Sequence, residues 1–234
     1  MKRLFSSIIL VCILFSSCEG DRVAKAYDLT MPMLTYNFKQ KNLVFPPTIL
    51  IQVFKAEGEL DIWAQDSTRF KLFKTYKICR ISGGFGRKLK EGDKQVPEGF
   101  YFIEKFNPKS SYHLSLGINY PNEADRFVAD SLRPGGDIYI HGDCVSVGCM
   151  AMTDEQIKEI YVLASEAKNN GQSKIPVNIY PFRMTAENFT TFTNRQREWK
   201  SFWQSLKNVH DSFEKNHIWR QPNAVNGEYV LPLN

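Results

Sequence analysis

From Thr48 to Phe182 the chain is dominated by short apolar runs with period-two alternation, the mark of strands with at least one buried face. Thr48–Phe54 and Leu60–Ala64 flank the turn residues Glu57-Gly58-Glu59 and read as a hairpin. Phe70–Cys79 reads as a third strand, Gly99–Phe106 as a fourth after Pro97, and Ser110–Tyr120 as a fifth. Ile138-Tyr139-Ile140 is a β-branched run typical of a buried strand. The period then changes. Thr153-Asp154-Glu155-Gln156 opens a run with Ile157, Ile160, Tyr161 and Ala164 on one face. This predicts a capped helix from Asp154 to about Lys168, stopped by Asn169-Asn170-Gly171. Pro176–Phe182 is a last long strand. Thr185 starts a helical stretch to about Asn216, whose stripe of Phe192, Trp199, Phe202, Trp203, Leu206, Val209 and Phe213 needs a β-surface to pack on. Tyr229-Val230-Leu231 predicts a short edge strand. The pattern as a whole predicts an α+β fold, mainly β over residues 46–184, with a C-terminal helical extension over residues 185–234.

The first residues change the picture of where the chain works. Met1-Lys2-Arg3 is basic, Leu4–Phe15 is an apolar run of twelve, and Ser16-Ser17 precede Cys18. This is the layout of a secretory signal over residues 1–17, and the apolar run is too short for the roughly 20 residues a bilayer span needs. A cysteine directly after small residues resembles a bacterial lipobox, which predicts lipidation of Cys18; ordinary signal cleavage nearby is the alternative. Residues 18–45 then read as a lipidated N-terminus and tether, weakly helical or irregular, ending at Phe45-Pro46-Pro47. The protein is expected in the bacterial cell envelope, lipid-anchored on the periplasmic side or soluble in the periplasm.

Composition is that of a globular domain, 43% hydrophobic and 24% charged; loss of Lys2 and Arg3 takes the formal charge from +5 to +3. No basic cluster is interleaved with aromatics, which argues against a nucleic-acid partner. Of five cysteines, Cys12 lies in the signal and Cys18 is assigned to lipid. Cys79 reads as core. Cys144 lies close enough to Cys149 for a disulfide, which would block that thiol. An odd number left over points to a free reactive thiol.

The candidate chemistry sits where the period changes. The buried strand delivers His141 to its end, Gly142 follows, and a short loop through Ser146 and Gly148 reaches Cys149, eight positions after the histidine. An imidazole that takes the thiol proton makes the thiolate, which is the nucleophile. Placement just before a helix start favours negative charge on sulfur. Gly148 allows close backbone approach, and the amides around Gly148 and Cys149 are oxyanion donors, with Ser146 in support. A zinc site of His141, Cys144 and Cys149 is the rival reading, but no Cys-x-x-Cys pair or second histidine follows at ligand spacing. Alternation puts His113 on one face with Ser115, and Arg126 has the guanidinium to bind a carboxylate. His210 and His217 carry no predicted role. Ser82-Gly83-Gly84-Phe85-Gly86 is a glycine loop without phosphate-loop spacing, and Arg87–Lys94 reads as a solvated loop.

His141-Gly142, a short gap and Ser146-Val147-Gly148-Cys149 resemble the signature of the L,D-transpeptidase catalytic domain (YkuD) family. Ala151-Met152-Thr153-Asp154 resembles its YafK-like branch. Arg80-Ile81-Ser82-Gly83-Gly84, Val96-Pro97-Glu98-Gly99-Phe100-Tyr101, Pro134-Gly135-Gly136-Asp137 and Ile179-Tyr180-Pro181-Phe182-Arg183-Met184 extend the likeness over roughly residues 45–190. The resemblance implies an enzyme acting on peptidoglycan stem peptides, in which Cys149 attacks the carbonyl of the diaminopimelate-type residue to give a thioester. His141 is then the base, with a backbone carbonyl or Ser146 left to orient it. His113, Gly142 and Arg126 become substrate-contact candidates. No metal or organic cofactor is implied. Transfer to an amine makes the protein a transpeptidase. Transfer to water makes it an amidase that releases peptides or wall-attached lipoproteins. A third reading is a wall-binding lipoprotein without catalysis.

Overall fold

The computed structural model describes residues 17–129 and 133–233. Residues 1–16 of the expected signal (residues 1–17) lie outside them, as do the side chains of residues 17–21, Cys18 included. The chain opens with a helix, α1 (Ser17–Gln40). The predicted hairpin follows as β1 (Ile49–Phe54) and β2 (Glu59–Asp66), in register from Ile49 opposite Ala64 to Phe54 opposite Glu59. β3 (Arg69–Lys77) and the short β4 (Arg80–Ile81) come next, then the long β5 (Gly99–Asn107), β6 (Ser115–Ile118) and a helical turn, α2 (Glu123–Val128). β7 (Tyr139–His141), β8 (Met150–Ala151), α3 (Asp154–Asn169) and β9 (Pro176–Tyr180) form the middle of the molecule. α4 (Ala186–Arg195), α5 (Lys200–Asn216) and a hairpin of β10 (Asn223–Val225) and β11 (Glu228–Val230) complete it.

The nine strands of the main sheet run β3-β2-β1-β9-β5-β6-β7-β8-β4 among the described residues. β5 makes this one curled surface. Its first half pairs with β9 from Gly99 to Phe102, the register shifts between Ile103 and Lys105, and its second half pairs with β6. β1, buried at all six positions, has helices on both faces, and so reads as a continuous apolar run. Ile49, Ile51 and Val53 join Leu34 and Phe38 of α1 and Ile160 and Leu163 of α3 in the larger core. Leu50 turns the other way to Trp63, Phe70 and Phe213, and Phe54 to Trp203, Leu206 and Val209 of α5. The aromatic stripe packs on the sheet as its spacing predicts. Trp63 meets Phe213 edge-on at 5.1 Å, and truncation of either to Ala costs about 3–5 kcal/mol.

Four expectations are corrected. The segment over residues 18–45, read as a weakly helical or irregular tether, is largely the packed helix α1, with Ala26, Leu34 and Phe38 buried at 0–1% exposure; the exposed apolar residues Leu29, Met33 and Tyr36 between them blur any single apolar face in the sequence. The fifth strand keeps only Ser115–Ile118, because His113 has a left-handed backbone (φ 69°) that breaks the extended run. The C-terminal strand pairs in its own two-stranded ribbon, Ala224 opposite Tyr229, not at an edge of the main sheet. Cys79 is not core: it is exposed at the end of β3 and bonded to Cys144, 65 positions on.

Candidate active site

The helix that ends the site forms as the sequence predicts. Thr153 caps α3 by accepting from the Gln156 amide, and the Gln156 side chain accepts from the Thr153 amide, a reciprocal capping box. Asp154 reaches back from the first turn to accept the Asp143 amide at 2.9 Å. That pins the loop between β7 and β8. Gly142 is needed there, since a Cβ would lie 2.6 Å from Asp154 Oδ1 and 3.1 Å from Ile157 Cγ2.

His141 and Cys149 line one cleft of about 510 Å³, together with Tyr112, Ser115, Tyr139, Ser146 and Val147. β7 and β8 lie side by side in parallel, His141 opposite Ala151, which brings the loop ends together. The His141 ring is buried at 3% exposure, and its Nδ1 lies 2.7 Å from the Gly142 carbonyl. A carbonyl only accepts, so Nδ1 carries the proton and Nε2 is the basic nitrogen of the neutral ring. Tyr112 covers the imidazole, ring centres 4.9 Å apart. Cys149 is the free cysteine among the described residues. Its Sγ donates to the Asp137 carbonyl at 3.6 Å, not to the imidazole. Burial pushes the thiol above its ordinary value, with Asp137 adding to the rise and a Tyr139 backbone hydrogen bond and Lys88 opposing it. Burial also pulls His141 below its ordinary value, against the Gly142 carbonyl and Asp143. Both partners therefore rest neutral, and the ion pair anticipated from their spacing is replaced by a thiol and an imidazole facing the same space.

Other expectations shift. β8 separates Cys149 from the start of α3 in the chain, and the first turn of that helix is engaged by Thr153 and, through Asp154, by the Asp143 amide. The two backbone donors are engaged: the Gly148 amide donates to Ser82 Oγ at 2.6 Å and the Cys149 amide to Ser146 Oγ at 3.1 Å. Ser146 in turn donates to the Cys149 carbonyl at 2.6 Å, and Ser82 to the Lys94 carbonyl at 3.0 Å. Gly148 takes φ 95°, a backbone that suits glycine. The Cys144–Cys149 disulfide that the sequence left open does not form: Cys144 is bonded to Cys79, which also removes it from the zinc reading.

His113 and Gly142 are near the site but behind it. Gly142 packs on the His113 Cβ side, and His113 Nδ1 faces Asp154 at 3.9 Å, away from the cleft lining. Arg126 is exposed on α2 and does not line the cleft. The residues that sequence reasoning passed over are Tyr112, Ser82, Asp137 and Tyr139. Ser82 stood in a glycine loop within a stretch of family likeness, but its partner Gly148 is 66 positions away, so no local pattern gave it a role.

A Cys–His cleft on a curled, mainly β sheet with flanking helices places the chain in a class of α+β proteins, and the comparisons sharpen it. The family model for the L,D-transpeptidase catalytic domain (YkuD) matches residues 48–179, and the chain belongs to this family. Over 230 residues, 97% of this chain and 88% of the relative, it is 35% identical to a protein of Escherichia coli strain K12 named "Putative L,D-transpeptidase YafK", and equally to one of that name in Escherichia coli O157:H7. Among solved structures, the helical cell shape determining protein Pgp2 from Campylobacter jejuni superposes at a TM-score of 0.47 with 20% identity, covering 70% of this chain and 60% of that one. Bd1075 from Bdellovibrio bacteriovorus superposes at 0.43 with 19% identity over 80% and 78%.

Proposed function

We propose that the protein is an exported peptidoglycan acyltransferase that works through a Cys149 thioester. The observation that carries the reading is the free thiol of Cys149 opening on the same cleft as an imidazole whose Nε2 is the basic nitrogen. Cys149 Sγ attacks the carbonyl of the diaminopimelate-type residue of a stem peptide while its proton passes to His141 Nε2. The C–N bond then breaks, and the same proton goes to the leaving amine, leaving a thioester. An amine of a second stem peptide next attacks the thioester and gives its proton to His141; the thiol is regenerated. Water in place of the amine makes the protein an amidase on peptide or lipoprotein links. The Gly142 carbonyl holds the ring throughout. Backbone amides at Gly148 and Cys149 serve the oxyanion once it displaces the Ser82 and Ser146 hydroxyls. Family membership supports peptidoglycan as the substrate. The signal-like residues 1–17 and Cys18 support export and lipid attachment.

The test is mass spectrometry of purified muropeptides incubated with the enzyme. New links between two diaminopimelate-type residues mean transfer, and shortened stems or released peptides mean hydrolysis. A mass shift of one acyl group on Cys149 in trapped enzyme is expected in both. Unchanged muropeptides and no adduct would sink the reading.

A further inference from the structure

We propose that the outward face of α1 lies on a lipid surface and holds the Cys149 cleft beside the membrane. The proposal rests on the reading that the segment before α1 is an export and anchoring signal. α1 has two apolar faces. The inward one buries Ala26, Leu34 and Phe38 in the main core, and Tyr27 donates to Glu166 of α3 at 2.7 Å. The outward one presents Leu29, Met33 and Tyr36 at 67%, 60% and 58% exposure. Steps of four and three residues line these side chains up along one side of the helix. Lys39 and Lys41, both exposed, stand at its far end. Leucine, methionine and tyrosine beside lysines match a headgroup boundary, where apolar bodies sink and cationic or phenolic tips stay wet.

Chain continuity selects lipid over another occupant. The apolar run Leu4–Phe15 ends two positions before the first residue of α1, and Cys18 is the second residue of that helix. Cys18 and Leu29 are eleven residues apart, about 16 Å along a helix axis. An anchor at Cys18 thus leaves the stripe within reach of the surface. A second copy of the chain is a poorer fit. The three side chains expose on the order of 350 Å², under half of the roughly 800 Å² that each partner gives a stable interface.

The docking has a consequence for the site. Arg22, one turn after Cys18, donates Nη1 to the carbonyls of Ser110 at 3.0 Å and His113 at 3.3 Å. That loop carries Tyr112 over His141. The helix that meets lipid therefore also grips the wall of the cleft, and the acyl donors reached are those next to the membrane.

The experiment uses the full chain expressed in its envelope with a photo-crosslinking amino acid placed singly at Leu29, Met33, Tyr36 and, as an off-face control, the exposed Gln204 of α5. Phospholipid adducts at the first three positions, at least about fivefold above Gln204, are expected. The charge-introducing pair Leu29→Glu with Tyr36→Glu should lower the Met33 adduct by a similar factor, while turnover of soluble muropeptides stays within about twofold. Adducts to a second copy of the chain, adducts to another protein, or no lipid adduct above Gln204 would each overturn the proposal. Labelled fatty acid missing from Cys18 while the lipid adducts persist would end the lipidation reading and leave the docking intact.

Discussion

Two desolvated polar regions of this molecule resolve burial in opposite ways. Under α5, Lys55 and Glu98 are buried at 6% and 1% exposure with Nζ and Oε1 2.8 Å apart. Lys55 also donates to the Val96 carbonyl, and Glu98 also accepts from the Gly86 amide and Trp203 Nε1. Burial pulls the Lys55 amine down, but the Glu98 charge resists it, and every charge there has partners. In the cleft, His141 and Cys149 are desolvated with no opposing charge in contact, so burial moves both toward their neutral forms. One region is a finished structural network; the other keeps unspent acid–base capacity at one nitrogen and one sulfur, which is what a nucleophile and its base need. The two are joined. Glu98 and Gln95 hold the loop of Gly84 and Gly86, and the same loop presents Ser82 to the Gly148 amide.

The comparison is broken most sharply at the cleft. Cys149→Ala removes the nucleophile, and muropeptide turnover should fall to background. His141→Ala should lose about 10²–10⁴ in kcat with the fold intact, read by product mass spectrometry and circular dichroism. Loss of similar size from Cys144→Ala would shift the weight from chemistry to the Cys79–Cys144 staple. In the structural region, Glu98→Ala strands the Lys55 charge and should cost about 3–5 kcal/mol in urea unfolding, with Lys55→Met restoring part of it in the double variant. A mild effect would mean that water reaches the pair. Where the regions meet, Ser82→Ala frees the Gly148 amide that the oxyanion otherwise takes over from the hydroxyl, so kcat should hold or rise by up to about tenfold at unchanged KM, and a tenfold loss would overturn the oxyanion role of that amide. A change in KM alone would assign Ser82 to substrate contact. The smallest signal is in pH. A folded-state imidazole below its ordinary 6.5 stays neutral, and hence basic, at lower pH than a free histidine, so the acid limb of kcat/KM should fall below 6.5. A thiol raised above 9.0 should show alkylation rates that keep rising through that value. An alkylation plateau between pH 5 and 8 would reveal a thiolate–imidazolium pair and erase the contrast.

Much of this was readable in the chain because it is local. The capping box at Thr153 and Gln156, the apolar faces of α3 and α5, and the β1–β2 hairpin are set by residues three, four or a few positions apart, within reach of helix and turn geometry. His141 at a strand end and Cys149 on a glycine-bearing loop belong to the same short unit, so the candidate pair was legible as well. His113 was misplaced because one left-handed residue takes it out of the strand it was assumed to extend.

The chain by itself determined the β1–β2 hairpin, the long strands and the helices that follow the site, which cysteine and histidine share a loop, and that its first residues look like an export signal. The tertiary structure decided that Cys144 pairs with Cys79, that Ser82 closes on the Gly148 amide, that Arg22 grips the wall around Tyr112, and that the thiol and imidazole rest uncharged. Each of these depends on partners 12 or more positions apart or on how much water a folded cleft excludes. Neither strand order nor desolvation is written in the spacing of neighbouring residues.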